Sequence, residues 1–442
     1  MHVLHIGAHP KAIRGLHQGG HEITLLYEAA DGDRMYRTPG LRALVTRACA
    51  VDSYRHVEAL WSALHHLGPI PKVDAVLTTN EYGVVGSAVL GKQLDAIALD
   101  PAVALACRDK AMQKTKWRKA DVPTAKFVVL PEAAAQSVDA VRTLLAAAGL
   151  EFPVVVKPPA GGGAESVTVA ETTHDIMRVA RHNPQLRRVL VEEFIDGPEW
   201  HFDGIVQNGS ISRLMVSQYG EPLLCTKRGE PTRSMGLPPA KHPGAYAAAT
   251  AFATRALKAL GLQTGVFHFE AFGHPGEFVA GELACRPGGS GLWTVAEKTI
   301  GLDLFAAATQ LFTGDQVEKL TASPDKVHGW VHLPSAAGLP NTVHEADIRA
   351  VPGVDGVVLV PLGVPMRDMS ETSSAGVGYA TVAAADEAEC RRVMAEVVTR
   401  VRAIHDERGR AALHARSDVA SVGAPLGVPL GLTHRAPAMG MR

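Results

Sequence analysis

The stretch TGVFHFEAFGHPGEFVAGELACRPGGSG, residues 264–291, predicts two β-strands joined by a tight turn. Polar and apolar residues alternate along the first strand, so that His268 and Glu270 share one face. The same alternation places five residues of the second strand on one face: Phe278, Ala280, Glu282, Ala284 and Arg286. The hairpin therefore predicts that acidic, basic and imidazole side chains converge on one patch.

The register of this hairpin decides which side chains meet. If the turn has an odd number of residues, His268 lies opposite Glu282, and Glu270 is its diagonal neighbour at about 7–8 Å between Cα atoms. Two carboxylates at that separation repel each other and lose hydration, so cations are expected between them. Hard carboxylate oxygens near phosphate are typical of a Mg²⁺ site. A solvent-facing strand with scattered charges is the plainer alternative.

The composition is that of a globular protein whose 442 residues suffice for two or three domains. Apolar residues make up 46% of the chain, and the formal net charge of −1 provides no field for binding nucleic acid or an anionic membrane. The five dispersed cysteines predict neither a disulfide framework nor a zinc site. The dispersed cysteines fit a reducing cytoplasm best, and since no apolar run approaches the ~20 residues of a membrane span, we expect a soluble protein.

The N-terminal region predicts strands that alternate with helices and therefore a parallel sheet. Its first turn, GAHPKAIRG, departs from GxGxxG, which disfavours a dinucleotide-binding fold of the dehydrogenase type. Asn80 and Glu81 follow the strand at residues 75–78, and the carboxyl ends of such strands are where ligands bind. The alternative for Asn80 is a helix cap.

Cations and glycines come next along the chain. Asp109 is the predicted cap of a helix that carries Lys110, Lys114 and two further lysines, most of which we expect to be solvated. The apolar strand PVVVK ends in Lys157, which needs an anion if it is buried. The loop PPAGGGAES follows, and its glycines allow backbone N–H groups to reach phosphate oxygens, although a simple hairpin turn explains it equally well.

The remaining segments are mostly scaffold. The strand VLVEEFI, residues 189–195, can present backbone groups to an adenine edge, with Glu199 near ribose hydroxyls. Residues 219–239 predict either a mobile loop near anions or merely an exposed loop. The spacing of apolar residues predicts one helix over residues 294–313 and another over residues 387–406. Residues 409–442 lack periodicity and predict a flexible tail.

The order of these segments resembles that of the ATP-grasp superfamily over roughly residues 3–406. The sequence after Arg286, PGGSG, is more similar to carboxylate–amine ligases, including L-amino acid ligases, than to biotin carboxylases, which usually have a QVEH-like sequence there. The resemblance implies an α/β and α+β protein. Its parts would be a Rossmann-like domain (residues 1–105), a small lobe with a glycine flap (106–195), a large lobe with a C-terminal subdomain (196–408) and the tail (409–442).

The resemblance also implies ATP and Mg²⁺ as cofactors and a role for each candidate residue. The phosphates would be contacted by Lys110 and Lys157 and covered by Gly161, Gly162 and Gly163. Adenine would meet Glu193, Phe194 and Ile195, and the ribose would bind Glu199. Mg²⁺ would be held by Glu270 and Glu282, and the reacting centre would contain Arg286 and His268. One departure concerns Ala284, which stands where the family often has asparagine and so offers no oxygen ligand to a second metal ion.

The implied activity is ATP-dependent formation of an amide or peptide bond through an acyl phosphate, with a small carboxylate and a small amine as substrates. Carboxylation, ligation to a carrier protein or a natural-product scaffold, and nucleotide binding without catalysis are the alternatives. The sequence specifies neither substrate. It also leaves the oligomeric state open, with a homodimer as one expectation.

Overall fold

The computed structural model describes residues 1–132, 134–163, 165–182, 188–323, 325–372 and 375–409. Strands in these ranges form a four-stranded parallel sheet near the N-terminus, a four-stranded antiparallel sheet and an eight-stranded antiparallel sheet. The predicted mixed α/β fold with an N-terminal parallel sheet is therefore confirmed. The chain divisions after residues 105 and 195 stay predictions, and the expected tail lies outside the described residues beyond residue 409.

The N-terminal sheet is covered by helices on both faces. Its elements are β1 (His2–Ile6), α1 (Pro10–Gln18), β2 (Glu22–Tyr27), α2 (Ala29–Arg37), β3 (Arg47–Ala50), α3 (Val57–His66), β4 (Ala75–Thr78), α4 (Val84–Gln93) and α5 (Pro101–Arg108). The strand order is β3-β2-β1-β4, and the buried strand residues divide between two hydrophobic clusters, one on each face. Since the connections reverse direction between β1 and β4, a ligand crevice is expected where these two strands end.

The second sheet follows helix α6 (Lys110–Lys119), for which Asp109 is the predicted cap, its side chain accepting from the Met112 N–H. Its elements are β5 (Phe127–Pro131), α7 (Val138–Ala147), β6 (Val154–Lys157), β7 (Thr168–Ala170), α8 (Thr173–His182) and β8 (Arg188–Glu193), and the strand order is β5-β8-β6-β7. Val154 and Val156 pack into the core beneath α7 and α8. By strand alternation, Val155 and Lys157 face the opposite side.

The third sheet has the strand order β13-β12-β9-β10-β11-β14-β16-β15. Its elements, with their helices, are β9 (Glu199–Gln207), β10 (Ser210–Tyr219), β11 (Arg233–Gly236), α9 (Pro243–Leu260), β12 (Gly265–Phe272), β13 (Val279–Ala284), α10 (Leu292–Ile300), α11 (Leu304–Thr313), β14 (Val327–Leu333), α12 (Glu345–Arg349), β15 (Val354–Leu359), β16 (Gly378–Ala384) and α13 (Glu387–Ile404). Phe267 and Phe269 of β12 are fully buried against α9, so the opposite face of β12 carries the polar residues.

Near His268, the hairpin of β12 and β13 differs from the predicted register by two residues. Glu270 pairs directly with Glu282, and His268 pairs with Ala284 instead of Glu282. A β-bulge accounts for one residue of this difference, because the next pair along is Ala271 with Ala280 and Gly281 is the extra residue. Phe278 lies before the bulge and packs against core aromatic rings, so its predicted place on the face of Glu282 was wrong.

The single helix predicted over residues 294–313 was also wrong. Helix α10 ends at Gly301, whose φ of +67° is a left-handed conformation that glycine adopts without steric cost. Helix α11 then begins after Asp303, whose carboxylate accepts from the N–H groups of Phe305 and Ala306. A glycine C-cap followed by an aspartate N-cap therefore breaks an apolar pattern that is otherwise continuous.

Candidate functional site

A cavity of about 1000 Å³ opens where the three sheets meet. The N-terminal sheet contributes the residues that follow β1 and β4, at the expected crevice. All of the candidate site residues predicted from the sequence line it: Lys110, Lys157, Gly161, Gly162, Gly163, Glu193, Phe194, Ile195, Glu199, His268, Glu270, Glu282 and Arg286. The structure thus brings the predicted residues together in one space, whereas their individual roles stay predictions.

Glu270 and Glu282 lie directly across from each other on β12 and β13. Their side chains are about one quarter exposed, and the Lys110 Nζ lies 2.9 Å from Glu282 Oε1. The same ammonium group donates to the Gly161 carbonyl at 3.2 Å, so it joins the glycine loop to the carboxylate pair. The adjacent carboxylates provide the hard oxygen donors that Mg²⁺ prefers.

A second charged cluster, which the sequence did not predict, consists of Lys114, Lys157 and Glu192. Both lysines bind the Glu192 carboxylate, with 3.0 Å between Lys114 Nζ and Glu192 Oε2, and all three side chains are buried. Burial opposes the charge on Lys157, but Glu192 and Glu282 raise its pKa above the ordinary value. Burial lowers the pKa of Lys114 despite Glu192. Most lysines of this helix were predicted to be solvated, but Lys110 and Lys114 are buried.

Arg286 reaches the N-terminal part of the chain through Glu81. The Glu81 carboxylate binds both Arg286 and Arg108, and Arg108 also donates to the Gly161 carbonyl at 3.2 Å. Burial raises the pKa of Glu81, but the two guanidinium groups more than offset this and hold it below the ordinary value. The position of Glu81 is therefore compatible with its candidate role near a ligand. Arg108 also belongs to this charged group, although its position in α5 did not predict this.

His268 is held by a buried aspartate that the sequence reading missed. Its Nδ1 lies 2.8 Å from Asp203 Oδ1, while His201 Nδ1 lies 2.5 Å from Asp203 Oδ2. Burial opposes protonation of His268, but Asp203 and Glu270 raise its pKa to about 10. His201, Asp203 and His268 place possible metal ligand atoms within 4.8 Å of one another. Because the carboxylate bridges both rings and His268 stays protonated, the cluster acts as a hydrogen-bonded support for His268.

The other end of the cavity combines a buried carboxyl group with an accessible aromatic ring. Glu199 is buried and accepts from the Leu223 N–H at 2.7 Å; burial and the nearby charge of Glu270 raise its pKa to about 8. Phe194 is 36% exposed, which leaves an aromatic edge accessible beside Ile195. Alternation in β9 could have identified His201 and Asp203, since both share the face of Glu199.

Comparison with known proteins agrees with this geometry. Residues 115–301 match the model of the ATP-grasp domain. An L-arginine-specific L-amino acid ligase from Bacillus subtilis is 23% identical over 322 residues, which cover 67% of this chain and 74% of that protein. None of the helices within the described residues has both the length and the apolar character needed to cross a membrane.

Two solved structures have similar folds. The L-amino acid ligase from Bacillus licheniformis has a TM-score of 0.71 at 18% identity, covering 90% of this chain and 96% of that chain. The carboxyaminoimidazole ribonucleotide synthase from Aspergillus clavatus, solved with ATP, has a TM-score of 0.67 at 15% identity, covering 91% and 98%. From the matched domain, the shared fold and the convergence of the predicted residues, we conclude that this chain contains an ATP-grasp domain.

Proposed function

We propose that this protein is an ATP-dependent carboxylate–amine ligase that joins two amino acids through an acyl phosphate. The observation that carries the proposal is the pairing of Glu270 with Glu282 in a cavity that also contains Lys110, Lys157 and Arg286. The carboxylate pair suits a metal ion, and the three cations suit phosphate and carboxylate groups. These are the charges needed to bring an anionic nucleophile to a polyanionic phosphate.

The donor set fits Mg²⁺. Glu270 and Glu282 would hold the ion, and bound Mg²⁺ would neutralise charge on the phosphates of ATP. Two features of the acidic side chains support this assignment: Glu282 already binds a cation, Lys110, and burial together with the negative charge of Glu270 raises the pKa of Glu199. Ala284 offers no oxygen, so the proposal needs only these two carboxylates from the hairpin.

The chain would bind ATP between the second and third sheets. Lys110 and Lys157 would contact phosphate oxygens, and Gly161 to Gly163 would cover them. Glu193 to Ile195 would bind adenine by their backbone and the Phe194 ring, and Glu199 would accept from ribose hydroxyls. Lys157 can turn towards phosphate without leaving Glu192 unpaired, since Lys114 binds the same carboxylate.

The first chemical step is the attack of a substrate carboxylate on the γ-phosphoryl group, which releases ADP and yields an acyl phosphate. An amine then attacks the acyl carbon, and phosphate leaves as the amide forms. Arg286 would stabilise the oxyanion of this second step, and loss of such a preorganised donor costs about 3–4 kcal/mol in barrier. Glu81 holds Arg286 in place, and protonated His268 adds positive charge beside Glu270.

Amino acids are the proposed substrates because the related Bacillus subtilis protein is described as an L-amino acid ligase. Arginine specificity is not carried over, since the two sequences are only 23% identical.

An ATP-dependent carboxylase is the second candidate. It is supported by the similarity of the fold to carboxyaminoimidazole ribonucleotide synthase, whose TM-score of 0.67 is close to the 0.71 of the amino acid ligase. The two activities differ in the acid that is phosphorylated, which is bicarbonate in the carboxylase case.

The deciding experiment measures ADP release from the purified chain with ATP, MgCl₂ and each of the common amino acids, in the presence of hydroxylamine. Hydroxylamine captures an acyl phosphate as a hydroxamate, so an amino acid hydroxamate formed without bicarbonate supports the ligase. Omitting hydroxylamine and adding a second amino acid should then yield a dipeptide. ADP release that depends on bicarbonate and on no amino acid would instead support the carboxylase.

A further inference from the structure

Ser290 and His332 form a hydrogen-bonded pair in the wall of the cavity. Ser290 Oγ lies 2.9 Å from His332 Nε2, and His332 Nδ1 lies 3.2 Å from the Gly378 carbonyl oxygen. A carbonyl can only accept, so Nδ1 carries the imidazole proton and Nε2 accepts from the serine hydroxyl. Burial lowers the pKa of His332 to about 4, which keeps the ring neutral, so Nε2 retains the lone pair that accepts from the serine.

The backbone at Ser290 is strained. Its φ of +52° lies in the left-handed region, which non-glycine residues rarely adopt, and the residues on both sides of it are glycines. Such strain costs about 1–3 kcal/mol and persists where the surroundings fix it, often at functional sites. A glycine at this position would avoid the strain. What the serine provides, and a glycine would lack, is the hydroxyl group.

The loop that carries Ser290 packs tightly between Asp203 and His268 on one side and Trp330 on the other. A Cβ at Gly288 would lie 2.8 Å from Asp203 Oδ1 and 3.1 Å from His268 Nδ1, and a Cβ at Gly291 would overlap the Trp330 ring. The loop therefore touches the support of His268 on one side and β14 on the other. Ser290 follows Arg286 by four residues, and both line the same cavity.

The chemistry of this pair suits an amine. Because the serine proton is donated to His332, Ser290 Oγ presents only lone pairs to a ligand and can accept from an N–H group. The phosphates and the reacting carboxylate proposed for the remainder of the cavity offer no such donor, and the amino group of the first amino acid keeps its protons throughout the reaction. The second substrate of the ligase, however, must both donate an N–H and lose a proton as it attacks.

We propose that Ser290 and His332 bind the attacking amine and accept its proton during amide formation. The inference rests on the proposed ligase function and adds the residues that act on the second substrate. As the neutral amine attacks, the C–N bond forms and one N–H proton passes to Ser290 Oγ. The hydroxyl proton of Ser290 passes to His332 Nε2, and the C–O bond to phosphate breaks with its electron pair leaving on phosphate. The imidazolium then returns its proton to solvent.

Two variants separate this role from a structural one. Ser290→Gly removes the hydroxyl and fits the left-handed backbone. His332→Gln keeps a side-chain acceptor for the serine hydroxyl but cannot take up a proton. His328→Gln is the matched control, because His328 is a buried histidine on the same face of β14 that does not line the cavity.

The test compares two products from the same acyl phosphate, using the full-length chain with ATP, MgCl₂ and an amino acid that forms a hydroxamate. Hydroxylamine attacks acyl phosphates in free solution without a catalyst, so hydroxamate reports only the first step. Dipeptide formation with a second amino acid reports both steps. We expect both variants to form hydroxamate at the rate of the unsubstituted chain. Dipeptide formation should be about 100-fold slower, which is the lower end of the range of rate effects for loss of a general base. The control should match the unsubstituted chain in both assays.

Other outcomes overturn the inference in distinguishable ways. Equal loss of both products would make the pair structural, and undiminished dipeptide formation by His332→Gln would show that no proton passes to the ring. If the unsubstituted chain forms no hydroxamate with any amino acid, the proposed function fails and this inference fails with it.

Discussion

Two walls of the cavity carry opposite excess charge. The lysine wall, from α6, β6 and β8, has Lys110, Lys114 and Lys157 against one carboxylate, Glu192. The acidic wall, from β9, β12 and β13, has the carboxylates of Asp203, Glu270 and Glu282 and the buried carboxyl group of Glu199 around one imidazolium, His268. Buried charges are costly when they lack partners. A ligand with phosphates on one side and a metal ion on the other would compensate both walls, as Mg²⁺-bound ATP does.

The acidic wall is the more sensitive to a change of charge. Glu282→Gln keeps the side-chain shape but removes one charge from the proposed metal site. We expect ADP release at saturating ATP to fall by about 10²–10³-fold, as when a preorganised electrostatic contact to the reacting groups is lost. Glu277→Gln in the exposed hairpin turn is the control and should retain full activity. Activity of the Glu282 variant equal to that of the control would remove Glu282 from the site.

The lysine wall should respond mainly in ATP binding. Lys157→Met removes a cation but leaves Glu192 bound to Lys114, so the chain should stay folded. We expect the KM for ATP to rise about 10- to 100-fold, since a hydrogen bond to a charged group contributes about 1.5–3 kcal/mol. Lys126→Met, at a largely exposed lysine, is the control. An unchanged KM would mean that Lys157 serves only to compensate Glu192.

Alternation along the hairpin was sufficient to place Glu270 and Glu282 on one patch, whereas Lys157 joined them only through the resemblance to the ATP-grasp superfamily. Each lies on a strand whose alternation separates a core face from a polar face, and that separation survives in the folded chain. The register of the hairpin was wrong because the bulge at Gly281 depends on how β12 and β13 pair, which alternation within one strand does not encode.

The sequence did not predict Lys114, Glu192 or Asp203 as site residues, for a different reason. A lysine on a polar helix is normally solvated, and only the packing of α6 against the second sheet buries Lys114 beside Glu192. Asp203 acts through His268, which is distant in sequence and adjacent only across the β9 and β12 pairing. Alternation in β9 can identify Asp203 as a candidate, but its partner, and so its role, requires the tertiary structure.

Asp203 also makes the free energy of unfolding depend on pH through its contact with His268. The folded-state pKa of His268, about 10, is above the ordinary value of 6.5, so its contribution to stability is complete below pH 6.5 and is lost as pH rises through 10. We expect the free energy of unfolding, from urea titrations without Mg²⁺, to fall by up to about 1.4 kcal/mol per pH unit in this window. Asp203→Asn should flatten that slope. Asp100→Asn, which keeps a helix cap, should not. Equal slopes in both variants would assign the pH dependence to other groups.

The glycine loop between the walls should give the smallest effect. Gly163 has a φ of +64°, where alanine costs about 1 kcal/mol more than glycine, so Gly163→Ala should raise the KM for ATP about fivefold. Gly162→Ala is the matched substitution, because its Cβ would meet Glu81 Cγ and Tyr82 Oη at the ordinary distances of 3.5 and 3.7 Å. A larger effect at Gly162 would mean that the phosphates need close approach to the bare backbone there. An effect confined to Gly163 would mean that the conformation of the loop limits how it covers the nucleotide.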